Sequence, residues 1–115
     1  MSKPKPVKIQ PAVQQRYEAL AAEFLRRPDV TRAGAGFGAK ALKVRGRIFA
    51  TLSTSGEFIV KLPESRVDAY VANGDGVRSD GGKGRQMKEW LSVSPDSEVP
   101  WSRLAQEAMD FVGRR

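Results

Sequence analysis

The sequence predicts a small α+β domain: a small antiparallel sheet flanked by helices, in the order α-β-β-β-α-β-α. Three observations lead there. Apolar residues recur at helical spacing near both ends of the chain, short runs alternate at strand spacing between them, and turn residues separate the runs. Three consecutive strand-like runs lie between helices, the grouping of a sheet with helices packed on it and not of a βαβ repeat.

Each element has its own signal. Residues 1–9 carry Lys3, Pro4, Lys5, Pro6 and Lys8 and read as a flexible basic lead, with residues 10–115 as one domain. Pro11 suits the first turn of a helix, and Val13, Tyr17, Leu20, Ala21 and Phe24 follow on one face. Arg26 and Arg27 are expected in its last turn, beside the negative end of the dipole, with Pro28 as the stop. Gly34, Gly36 and Gly38 interrupt regular structure, and Phe37 between them is expected to pack inward. Leu42–Val44 alternates as a first strand, Gly46 marks a tight turn, and Ile48–Leu52 reads as a second strand. Thr54-Ser55-Gly56-Glu57 is a turn before a third strand, Phe58–Leu62. Pro63-Glu64-Ser65 opens a helix that buries Val67, Tyr70 and Val71 and ends at Asn73-Gly74. Trp90–Val93 is the fourth strand and residues 96–100 form a turn. Trp101-Ser102 opens a last helix with Leu104, Ala105, Ala108, Met109, Phe111 and Val112 at helical spacing, closed by Gly113. Phe49 and Phe58 are expected to face the core, and Trp90 and Trp101 to pack between the last strand and the last helix.

Composition narrows the chemistry. The 115 residues, 40% hydrophobic and 29% charged, suffice for one modest core without a metal or disulfide staple. Cysteine and histidine are both absent, which excludes disulfides, thiolate nucleophiles and Cys/His metal sites, and removes the commonest general base. The 13 carboxylates are scattered singly, so no acid/base dyad stands out, and neither enzymatic activity nor a cofactor is expected. No apolar run is long enough to span a membrane, and the start MSKPKPVKIQP lacks the apolar stretch of a secretory signal, so a cytoplasmic location is expected. A net charge of +7 favours polyanionic partners, whether nucleic acid or an acidic protein surface.

Two glycine-rich stretches invite a nucleotide reading and fail it. GAGFG lies after a helix and before a strand, the reverse of the order a dinucleotide fingerprint requires. In GVRSDGGKGRQMKEW, Gly76 and Gly81 have the separation of a P-loop, but Gly82 occupies the lysine position and no hydroxyl follows Lys83. What remains is a mobile loop presenting Arg78, Lys83, Arg85 and Lys88, whose glycine-freed amides can form an anion nest. A stronger signal is charge distribution. From Val30 to Gly56 there is no acidic residue, while Arg32, Lys40, Lys43, Arg45 and Arg47 are all cationic. Lys43 and Arg45 bracket Val44 and are expected on the face opposite it, where Lys61 of the third strand would join them. These cations read either as a polyanion-binding face or as the solvated outer face of a half-buried sheet.

The pieces Gly36-Phe37-Gly38, Leu42-Lys43-Val44, Gly46-Arg47-Ile48-Phe49-Ala50, Val60-Lys61-Leu62-Pro63 and Lys88-Glu89-Trp90, with a final helix from near Trp101, form a pattern. In order and spacing they resemble the YjbR/MmcQ-like family and the related N-terminal domain of TfoX-type competence regulators, over about residues 10 to 113. The resemblance implies helices flanking a small antiparallel sheet, and a DNA-binding label that comes with no agreed catalytic residues. TfoX-type proteins carry a second, C-terminal domain, for which no counterpart is expected among these residues, so their regulatory role is not carried over. The combined expectation is a non-enzymatic protein that binds nucleic acid mainly through phosphates, in a salt-sensitive way. With no recognition helix rich in Arg, Asn or Gln, no base code is expected. The alternative is an interaction module or structural adaptor that meets an acidic protein.

Overall fold

A computed structural model describes residues 10–32, 41–53, 56–79 and 87–114. Among them lie three helices and one six-stranded antiparallel sheet. In chain order these are α1 (Pro11–Phe24), β1 (Val30–Arg32), β2 (Leu42–Val44), β3 (Arg47–Leu52), β4 (Phe58–Lys61), α2 (Glu64–Ala72), β5 (Val77–Arg78), β6 (Trp90–Val93) and α3 (Trp101–Gly113). Across the sheet the strands run β1-β2-β3-β4-β6-β5.

The α+β class and the four expected strands stand, as β2, β3, β4 and β6; β1 and β5 are additions to the expected order. Both are edge strands of three and two residues, too short to show a period, and each exists by pairing with a longer neighbour. Helix α1 ends at Phe24 with Leu25 as its cap, so Arg26 and Arg27 follow the helix instead of filling its last turn. Phe37 and its flanking glycines lie outside the described residues.

Register explains which side chains are buried. Leu42, Ala50, Val60 and Leu91 are partners across four successive strands and therefore share one face of the sheet. On that face they join Val44, Leu52, Phe58 and Val93 in a single core cluster with the buried residues of all three helices. The link between β2 and β3 carries a bulge: Leu42 opposes Ala50, whereas Lys43 opposes Ile48, leaving Phe49 unpaired. The extra residue turns the Phe49 ring into the core, where it meets Phe24 of α1, and sets Ile48 beside Lys43 on the other face. The β2–β3 hairpin closes through Arg45 and Gly46, with φ of 53° and 83°. A two-residue turn of the type that matches strand twist demands left-handed φ at both positions.

Aromatic packing fixes the helices. Phe58 stacks on Trp101 with ring centroids 4.7 Å apart, and Tyr17 meets Phe58 edge-on at 6.0 Å. Such pairs contribute roughly 0.5–1.5 kcal/mol each beyond area burial. Arg16 lies over the other side of Trp101, 3.9 Å from its centroid, and its guanidinium reaches the Pro95 carbonyl. Helix α2 is tied to α3 by Arg66 and Tyr70, which both donate to Glu107. It ends in two interlocking bonds, Asp75 N–H to the Tyr70 carbonyl and Gly74 N–H to the Val71 carbonyl. Among the described residues no helix is long and apolar enough to cross a membrane.

Candidate functional site

With the helices on one side, the opposite side of the sheet carries Lys43, Ile48, Thr51, Ile59, Lys61 and Trp90, all half-buried or exposed. At the end of the sheet near the β2–β3 hairpin Lys43, Ile48, Lys61 and Trp90 border a groove of about 470 Å³. Lys43 of β2 faces Ile48 of β3, and Lys61, the last residue of β4, pairs with Trp90, the first of β6. Gly46 and Arg47 come from the hairpin, and Val112 of α3 completes the lining. The groove therefore combines three cations and one indole with two aliphatic side chains.

The cations are not equivalent. Lys61 Nζ rides on the Trp90 ring, 5.5 Å from its centroid, and lies 3.9 Å from a Glu89 carboxylate oxygen. At that distance and partial exposure the ion pair contributes at most about 1 kcal/mol, so it exchanges readily. Lys43 and Arg47 have no ion-pair partner among the described residues. Arg45 is exposed in the hairpin turn and not on the face opposite Val44, because the turn claims it and the strand ends one residue earlier. Lys88 is exposed in the turn that leads into β6, closed by the Trp90 amide donating to the Met87 carbonyl. Arg78 points elsewhere: opposite Leu91 it shares the helical face, and it is ion-paired with Asp68 of α2. Arg32 likewise faces the helices, held by two 2.7 Å bonds to Glu18 that push its guanidinium pKa up. Lys40, Lys83 and Arg85 lie outside the described residues. The structure thus gathers Lys43, Arg47 and Lys61 at one groove, with Arg45 next to it in the chain, and separates Arg78 from them.

Trp90 corrects an expectation. It does not pack with Trp101 between strand and helix; it stands half-buried on the outer face. The signal was present in WLSV: Leu91 and Val93 share the core phase, so Trp90 falls in the opposite one. A cationic rim around an indole and aliphatic walls can hold phosphate oxygens and a planar group together. Compared with known protein families, with curated proteins and with solved structures, the chain matches none.

Proposed function

We propose that this chain is a non-enzymatic, YjbR/MmcQ-like protein that binds nucleic acid mainly through phosphate contacts and with little sequence selectivity. The observation that carries the reading is the convergence of Lys43, Arg47 and Lys61 on one groove, two of them without a carboxylate partner among the described residues. Cations elsewhere on the molecule that already have partners (Arg32, Arg66 and Arg78) are neutralised and act in the fold. Arg45 and Lys88, both exposed, extend the basic surface beyond the groove. The YjbR/MmcQ-like resemblance points the same way. Against catalysis stand the lack of histidine and cysteine and the engagement of Glu18, Asp68 and Glu107 with arginines.

The test is fluorescence anisotropy of a labelled duplex at about 50 and about 200 mM salt. Five cations meeting about five phosphates make affinity fall on the order of several hundred-fold between the two, because each contact releases condensed counterions. The double variant Lys43→Ala/Arg47→Ala lowers affinity at low salt and shrinks that ratio to the order of tens-fold. If neither duplex nor single strand binds at low salt, the basic residues only solvate the sheet and the reading fails. A second reading, an adaptor for an acidic protein, rests on an exposed apolar side chain beside the cations, Ile48 at 39% exposure. Binding of polyglutamate as tight as that of nucleic acid at equal salt would favour it.

A further inference from the structure

Resting on the nucleic-acid reading, we propose that the groove takes a single strand, with one unstacked base laid on the Trp90 indole and its flanking phosphates on Lys43 and Arg47. A site for phosphate alone needs cations and open backbone amides; it has no use for an indole and aliphatic side chains in its lining. Here Ile48 and Val112 border the groove together with Trp90. The volume of about 470 Å³ lies in the range of sites that enclose small organic ligands, so there is room for a nucleoside and not only an oxyanion. In a duplex the base faces are stacked against one another and out of reach of a half-buried ring, whereas a single strand presents them.

Lys61 makes the exchange chemically balanced. Its ammonium now occupies the Trp90 face at 5.5 Å, with Glu89 at 3.9 Å. An arriving base replaces one π partner of the indole with another, and the freed ammonium swings from Glu89 to the phosphate. Neither starting contact is strong, so the swap costs little. Glu89 competes with phosphate for Lys61, and Glu89→Gln therefore raises single-strand affinity severalfold.

The experiment uses the protein's own fluorescence. There are two tryptophans, and Trp101 is 3% exposed and stacked on Phe58, so quenching by an added strand reports Trp90. Oligo(dT) of about ten nucleotides quenches saturably and binds about tenfold or more tightly than a duplex of equal length at the same salt. Trp90→Ala abolishes the quenching and weakens oligo(dT) by about tenfold or more, so that the ratio of single-strand to duplex affinity falls toward one, while a cooperative thermal melt shows that the variant is folded. Trp90→Phe keeps most of the single-strand preference. If wild-type protein binds duplex as tightly as oligo(dT), or oligo(dT) leaves the fluorescence unmoved, stacking is overturned and the phosphate reading survives. If it binds neither, both fall.

Discussion

Arg45 shows how a single residue can be explained by its backbone and not by its charge. It sits at φ 53° in the hairpin turn, a conformation in which its Cβ is crowded, beside Gly46 at 83°. Asparagine tolerates this region better, and Asn-Gly is the preferred pair for the turn. Arg45→Asn is therefore expected to stabilise the protein by about 0.5–1 kcal/mol, seen as a rise of a few degrees in the thermal midpoint. At the same scale, parity reveals more than charge. Lys43 could be placed on the outer face from its position beside Leu42 and Val44, and Lys61 from its position after Val60. Arg78 could not, because its partner Asp68 lies on helix α2 and no local pattern shows that pairing. Trp90 was legible in phase, since Leu91 and Val93 point to the core and the residue before Leu91 falls on the other face.

Among elements, the long ones were readable and the short ones were not. Helices α1 and α3 announce themselves through the spacing of Tyr17, Leu20 and Phe24 and of Leu104, Ala108 and Val112. Strands β1 and β5 have no such period; their residues become strand because β2 and β6 offer unpaired backbone groups at the right distance. The same closeness makes Gly76, at the entry to β5, a critical position. A Cβ there would stand 2.7 Å from the Ser92 carbonyl oxygen and 3.1 Å from Leu91 Cδ1, so β5 would have to move away from β6. Gly76→Ala is expected to cost about 1–3 kcal/mol, read as a lower urea midpoint with an unchanged slope. The bulge in β3 was also hidden, since Ile48-Phe49-Ala50 read as plain alternation would send Phe49 and Ala50 to opposite faces. The bulge keeps Ala50 paired with Leu42 and turns Phe49 inward as well, where it packs against Phe24.

For the whole molecule, one-sided layering governs both stability and display. Tyr17 is fully buried against Phe58, and that burial pushes its phenol well above the usual range, with Arg32 opposing weakly. A group whose folded pKa is raised contributes stability that is complete below its unfolded value and disappears as pH climbs past it. The thermal midpoint should thus be insensitive to this group below about pH 10 and fall above it. Tyr17→Phe should flatten that alkaline decline, which melts recorded across the range would show. The outer face answers to different constraints. Lys43, Ile48, Thr51 and Ile59 lie on the face turned away from the core cluster, and changes at separated sites with no shared partners add nearly independently. The outer face can therefore change its chemistry without renegotiating how the chain folds: a sheet backed by helices on one side serves as an interchangeable label, its lettering on the front and its adhesive behind.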